Sequence, residues 1–131
     1  MLLYLVRHAE AAPGNPDELR PLTEAGKRAA RELGSRIAAA GALDAVVTSP
    51  LLRACETGAA IARATGVETP AVAVELAPGA TAEALVSAVA GRGERVAAVG
   101  HMPDLTVIVR ALTGAEIAFA PGDVHEIELA V

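Results

Sequence analysis

Two arginines and two histidines of this chain lie where predicted strands end. Arg7 and His8 directly follow the apolar residues 2–6, and His101 follows a later apolar run. Arg53 lies in the first turn of the helix predicted after a second strand. Arginine offers paired donors to phosphate oxygens, and histidine can act as a nucleophile, a proton-transfer group or a donor. Because the carboxyl ends of parallel strands share one edge of a sheet, these side chains could form a cationic pocket for a phosphoryl group.

Two predicted helix N-termini lie at the same edge and would add positive dipole ends to the pocket. Ser49 and Pro50 form the N-cap and first position of one of them, and Pro103 begins the other. Each of the four basic side chains could singly have a structural role, an arginine in a surface ion pair or a histidine in a turn. Their common placement at strand ends favours a site.

The charge balance excludes a polyanion as partner. The chain has 11 Lys and Arg against 16 Asp and Glu, a formal net charge of −5, and no Trp. An acidic surface repels nucleic acid, and the scarcity of aromatic side chains argues against base stacking. We therefore expect no nucleic-acid partner, and phosphate binding that depends on local arginines and histidines.

Five predicted strands alternate with four helical patterns. The strands are predicted at residues 2–6, 45–47, 71–76, 95–99 and 124–129, and the helices at residues 24–40, 50–65, 81–90 and 103–112. Parallel neighbours need crossover helices, so this order predicts an α/β fold: a three-layer α/β/α sandwich with a mostly parallel central sheet. With 131 residues, we expect a single domain over residues 1–131 and no cap domain.

The expected compartment is the cytoplasm. One cysteine, Cys55, cannot form an internal disulfide, which suits a reducing environment. The apolar N-terminal run is short and lacks a basic region before it, which disfavours a signal peptide. No uncharged apolar stretch approaches the ~18–20 residues that span a bilayer, so no membrane association is expected.

Four segments together resemble the histidine phosphatase superfamily, which includes the phosphoglycerate-mutase-like enzymes. They are Leu-Val-Arg-His-Ala-Glu at 5–10, Arg-Pro-Leu-Thr-Glu-Ala-Gly at 20–26, Ser-Pro-Leu-Leu-Arg-Ala-Cys-Glu-Thr at 49–57 and Val-Gly-His at 99–101. The likeness is greatest to the small protein-phosphohistidine phosphatases. The short segment 75–79 stands where larger members have a Leu-x-Glu pattern followed by a helical insertion.

The resemblance implies a role for each basic residue. His8 would be the nucleophile that forms a transient phosphohistidine, with its second ring nitrogen donating to a backbone carbonyl. Arg7, Arg53 and His101 would hold the phosphoryl oxygens and stabilise the transition state, with His101 as a protonated or donor imidazole. Water would hydrolyse the intermediate. The cationic side chains would replace a metal ion, so we expect neither metal nor cofactor.

The general acid of larger relatives has no clear counterpart. Glu75 is a weak candidate, and its alternative is a solvated carboxylate at a strand end. A phosphohistidine substrate needs an acid less, because its imidazole leaving group can depart neutral. We therefore predict a phosphatase acting on protein phosphohistidine.

The remaining expectations concern substrate access and alternative functions. Residues 9–20, which include Asp17, Glu18 and Arg20, form either the rim of the site or an ordinary solvated loop. The alternatives in function are a small-molecule phosphomonoesterase and a non-catalytic phosphate-binding module. The sequence leaves the oligomeric state open, and a monomer is compatible with it.

Overall fold

A computed structural model describes residues 1–130 and forms one five-stranded sheet in the order β3-β2-β4-β1-β5. The strands are β1 (Leu2–Arg7), β2 (Ala45–Thr48), β3 (Ala71–Val72), β4 (Arg95–Gly100) and β5 (Val124–Glu128). All neighbours pair in parallel except β5, which is antiparallel to β1. The predicted α/β fold with a mostly parallel sheet is confirmed.

Four helices cover the two faces of the sheet: α1 (Glu24–Ala40), α2 (Leu52–Thr65), α3 (Ala82–Val89) and α4 (Asp104–Thr113). Alternate residues of β1 face opposite layers, as the period of two in a strand requires. Tyr4 and Val6 pack in the core beneath α1 and α2, and Leu3 and Leu5 in the core beneath α3 and α4. Both faces are therefore buried, which explains why the central strands are mostly apolar between their ends.

The caps of α1 and α2 follow local sequence signals. The Thr23 side chain accepts a hydrogen bond from the Gly26 N–H at 2.9 Å, as an N-cap does. Gly66 ends α2 in the left-handed conformation with φ of 83°. Gly26 must lack a side chain, because a Cβ there would collide with the Glu10 carbonyl oxygen.

The third strand is much shorter than predicted. Residues 71–76 were expected to be extended, whereas β3 contains only two residues and Val74–Leu76 form a 3-10 turn. The partner strand β2 ends at Thr48, whose carbonyl accepts the last ladder bond from Ala73. Beyond this bond the chain turns, which buries Leu76 in the core beneath α3 and α4.

Within residues 1–130, every helix falls short of the length and apolarity needed to cross a bilayer.

Candidate active site

The sheet brings the two predicted site histidines together. Arg7 at the end of β1 pairs with Gly100 at the end of β4, so the next residues, His8 and His101, leave neighbouring strands at the same level. The His8 N–H donates to the Gly100 carbonyl at 3.2 Å. The two imidazole rings lie with centroids 5.2 Å apart and planes tilted by 55°.

His8 has one ring nitrogen occupied and one free for chemistry. Its Nδ1 lies 2.7 Å from the Ala9 carbonyl oxygen. Since a carbonyl only accepts, Nδ1 carries the ring proton, and a neutral ring then has its lone pair on Nε2. Burial lowers the pKa of His8, and the nearby charges of Arg53 and Arg7 lower it further, against the opposing effect of the Ala9 bond. The expected backbone partner of His8 is confirmed.

Arg7 is anchored at one end of its guanidinium. Its Nη1 donates to the Phe119 carbonyl at 2.8 Å, whereas its buried Nε has no partner among residues 1–130. A turn preceding β5 supports the backbone here, because the Gly122 N–H lies 3.1 Å from the carbonyl oxygens of both Arg7 and His8. A buried donor without a partner is rare in proteins and is a place where an anion would be stabilised.

Arg53 is the second residue of α2 and is 7% exposed. Its Nη1 donates to the Asp17 carbonyl at 2.9 Å and its Nη2 to the Asp17 carboxylate at 3.2 Å. Asp17 lies in a 3-10 turn, Asp17–Leu19, of the loop that precedes α1. The loop considered as a rim therefore contacts one of the predicted site residues directly.

Thr57 connects α2 to the segment after β1. Its hydroxyl donates to the Arg53 carbonyl at 2.8 Å and accepts from the Ala9 N–H at 3.1 Å. The side chain is completely buried. One hydroxyl thus links the backbone of Arg53 with the residue that follows His8.

Ser49 lies against His101 and does not cap a helix, so its predicted role was wrong. The helix begins at Leu52, and the capping position, Leu51, has no side-chain hydrogen bond. The Ser49 hydroxyl lies 2.7 Å from His101 Nε2 and accepts from the Leu51 N–H at 3.2 Å. Pro50 consequently precedes the helix.

His101 is a neutral imidazole at neutral pH. It is 4% exposed, and its Nδ1 has no partner among residues 1–130. Burial, reinforced by the charges of His8, Arg53 and Arg7, lowers its pKa to about 4, while Asp17 acts in the opposite direction. Of the two forms that the sequence left open, the lowered pKa favours the neutral donor imidazole over the protonated one at neutral pH.

Glu75 lies in the 3-10 turn after β3 and is exposed. Its side chain makes no hydrogen bond or ion pair among residues 1–130. The same range contains no cluster of three His, Cys, Asp or Glu side chains arranged to hold a metal ion.

Sequence reasoning missed the roles of Ser49, Thr57 and Asp17. Ser49 and Thr57 belong to the segment 49–57 that carries the family resemblance, which was the only available signal for them. Asp17 had been placed in the rim loop without a partner. Its contact with Arg53 spans 36 positions of the chain and leaves no local trace.

This chain is similar to known proteins in sequence and in fold. A family model for the histidine phosphatase superfamily (branch 1) matches residues 3–77. The structure of the protein histidine phosphatase SixA complexed with tungstate superposes with a TM-score of 0.87 at 23% identity, covering 98% of this chain and 88% of that one. At this level of identity, the superposition shows a shared fold and nothing more specific.

Two further structures are more similar in sequence. One is the proposed phosphohistidine phosphatase SixA of Agrobacterium tumefaciens, with a TM-score of 0.74, 30% identity and coverage of 86% of this chain and 77% of that one. The other is the proposed phosphohistidine phosphatase SixA of Nakamurella multipartitia, with a TM-score of 0.72, 33% identity and coverage of 85% and 64%. The search of curated protein sequences returned no match.

Proposed function

The chain belongs to the histidine phosphatase superfamily, and from this premise we propose that it hydrolyses phosphoryl groups through a phosphohistidine intermediate on His8. The observation that carries the proposal is the hydrogen bond from His8 Nδ1 to the Ala9 carbonyl, which leaves Nε2 as the nucleophilic atom. Two buried donors that have no partner among residues 1–130, Arg7 Nε and His101 Nδ1, supply positions for phosphoryl oxygens nearby.

In the first step, the Nε2 lone pair of His8 attacks phosphorus, and the bond from phosphorus to the leaving group breaks. The proton on Nδ1 stays hydrogen-bonded to the Ala9 carbonyl, which stabilises the positive charge that the ring gains. Arg7, Arg53 and His101 hold the oxygens as the phosphoryl group moves in line. The leaving group departs with the electron pair of its bond to phosphorus.

In the second step, water attacks the phosphorus of the intermediate. The bond between phosphorus and Nε2 breaks, and its electron pair returns to the ring. The protons of the water go to the phosphate product and to bulk solvent. His8 is then neutral again, with its proton on Nδ1, and ready for another cycle. The cycle consumes only the substrate and one water molecule.

The proposed substrate is a phosphohistidine of a protein. An alkoxide leaving group needs a proton, and general acid catalysis contributes typically ~10²–10⁴-fold. The candidate acid Glu75 is exposed and bonds to none of the site residues. An imidazole protonated at its second nitrogen departs as a neutral ring, so this substrate class suits the site without a strong acid. The similarity to two proposed phosphohistidine phosphatases at 30% and 33% identity supports the same class.

The loop of residues 9–20 is the proposed rim for a protein substrate. It carries the contact between Asp17 and Arg53, and it exposes Leu19 to 61%. An exposed leucine beside a charged pocket suits contact with a folded partner more than with a small sugar phosphate.

The test compares the wild type with His8→Ala on a phosphohistidine protein and on p-nitrophenyl phosphate. We expect turnover of the phosphohistidine protein to exceed that of the ester, and His8→Ala to abolish both. His125→Ala, a histidine on β5, serves as the matched control, and Glu75→Gln should leave phosphohistidine turnover unchanged. Trapping with labelled substrate should give an acid-labile, base-stable phosphoprotein.

Three results would count against the proposal. Activity that survives in His8→Ala would remove this residue as the nucleophile. Equal turnover of phosphohistidine and a simple alkyl phosphate would favour a small-molecule phosphomonoesterase. Phosphate binding without turnover of any substrate would favour a non-catalytic binding module.

A further inference from the structure

The Ser49 hydroxyl is enclosed between two polar partners. The residue is completely buried. Its oxygen lies 2.7 Å from His101 Nε2, and it accepts a hydrogen bond from the Leu51 N–H at 3.2 Å. These two are the only hydrogen bonds that its side chain makes among residues 1–130. The hydroxyl hydrogen therefore has a single acceptor within reach, which is the lone pair of Nε2.

The two tautomers of His101 differ in how many buried groups they leave without a partner. With the ring proton on Nδ1, Ser49 donates to Nε2, and of the groups in this pair only the Nδ1–H lacks a partner among residues 1–130. With the ring proton on Nε2, that N–H donates to the Ser49 oxygen, and both the hydroxyl hydrogen and the Nδ1 lone pair are left unpaired. Buried polar groups are normally satisfied, so the first arrangement is favoured.

We propose that Ser49 is a positioning residue that fixes His101 in the tautomer with its proton on Nδ1, and so holds this buried N–H as a donor for a phosphoryl oxygen. The part that concerns the phosphoryl group rests on the proposed function. The tautomer itself does not depend on that function.

A choice of tautomer arises only for a neutral ring. His8, Arg53 and Arg7 are the cationic or basic groups that act on His101, and Asp17 is the acidic one. Together with burial they keep the imidazole neutral at neutral pH, so the ring has one proton to place. Ser49 approaches the ring from the end of β2, on the side of Nε2.

Nuclear magnetic resonance of the ¹⁵N-labelled protein at pH 7.5 tests the proposal without any substrate. Two-bond nitrogen–proton correlations distinguish a protonated ring nitrogen from one with a lone pair. The chain has three histidines, and the signals absent from His101→Asn identify those of His101. We expect Nδ1 to be protonated and Nε2 to carry the lone pair. A wild-type spectrum with the proton on Nε2 would overturn the proposal, whether or not any variant folds.

Ser49→Ala then tests the role of the hydroxyl. We expect the tautomer population to move towards the Nε2–H form, and the affinity for inorganic phosphate to fall by about three- to tenfold. Ser35→Ala, an exposed serine on α1, should change neither quantity. A Ser49→Ala protein that keeps the Nδ1–H tautomer would overturn the proposal. A wild type with the expected tautomer but no phosphatase activity would instead overturn the proposed function and leave the assignment of Ser49 to the tautomer standing.

Discussion

The carboxylate of Asp17 pairs with the guanidinium of Arg53, so an anionic side chain already contacts one of the arginines proposed to bind phosphate. The Oδ2 atom of Asp17 lies 3.2 Å from Nη2 of Arg53, and its Oδ1 lies 2.9 Å from Nη1 of Arg20. These bonds hold the pKa of the Asp17 carboxyl below its ordinary value. An incoming phosphoryl group must share Arg53 with this carboxylate or displace it.

The first prediction concerns Asp17→Asn. Removal of the negative charge should tighten phosphate and vanadate binding, because the anion no longer meets a like charge at Arg53. The carbonyl of residue 17 still accepts from Arg53, so the guanidinium stays in place. The gain should not exceed about fivefold, since exposed ion pairs are weak. Calorimetric titration at low salt measures it, with the neighbouring Glu18→Gln as control. Weaker binding would instead make Asp17 a support of Arg53.

A second prediction concerns Arg53 itself. Arg53→Ala should weaken vanadate binding by about 10–100-fold, because hydrogen bonds to charged groups contribute ~1.5–3 kcal/mol. Arg63→Ala removes the same charge from the last turn of the same helix and should leave the affinity nearly unchanged. Inhibition of turnover by vanadate gives both affinities. An unchanged value in Arg53→Ala would place this residue outside the pocket.

A third prediction tests the link between α2 and the nucleophile segment. Thr57→Val leaves the Ala9 N–H without its acceptor, which costs about 1–3 kcal/mol of stability. Because residue 9 follows His8, the ring should also lose its alignment, and kcat should fall by about tenfold or more.

Thr65→Val is the matched control for Thr57→Val. Thr65 is also nearly buried on α2, but its hydroxyl donates only to the Ile61 carbonyl of its own helix, at 2.7 Å. It should therefore leave kcat unchanged. Urea unfolding and turnover measure the two effects separately. Equal kcat losses in both variants would assign the effect of Thr57→Val to the helix alone.

Local signals predicted most of the fold, and long-range contacts account for the errors. The cap at Thr23 and the stop at Gly66 involve neighbours in sequence, so their patterns were sufficient. The length of β3 depends on where its partner β2 ends, about 20 positions earlier in the chain. The amino-acid composition of residues 71–76 gives no information about that end point.

The same difference between local signals and long-range contacts holds for the site. Arg7, His8 and His101 were predicted to lie at one edge of the sheet because each follows the end of a strand, and the structure brings them there. This prediction succeeds because parallel topology follows from the order of elements. Ser49 was expected to cap α2, since serine before proline is a common helix start. Instead, its hydroxyl contacts His101, which lies 52 positions later in the chain, and does not cap the helix. The sequence thus identifies polar residues near a site, but it does not show which partner each of them contacts.

The last prediction concerns the pH dependence of stability. The pKa of His101 is about 4 in the folded protein, against an ordinary value of 6.5, and that of His8 is also lowered. Above pH 6.5 both residues are neutral in the folded and unfolded states. Between 6.5 and 4 the unfolded chain binds protons that the folded protein does not, so the free energy of unfolding falls as pH falls. The loss due to His101 should be on the order of 3 kcal/mol, nearly complete at pH 4.

Urea unfolding at pH 7.5, 6.5, 5 and 4 measures this slope. The lowered pKa values of Asp17 and Asp44 change the free energy of unfolding only below about their ordinary value of 3.8. They therefore contribute little between pH 6.5 and 4. His101→Asn should flatten the dependence between pH 6.5 and 4, whereas His125→Asn should keep it. An equally steep dependence in His101→Asn and the wild type would mean that the buried imidazole accepts its proton in the folded protein without cost, which contradicts its enclosure among Arg7, Arg53 and His8.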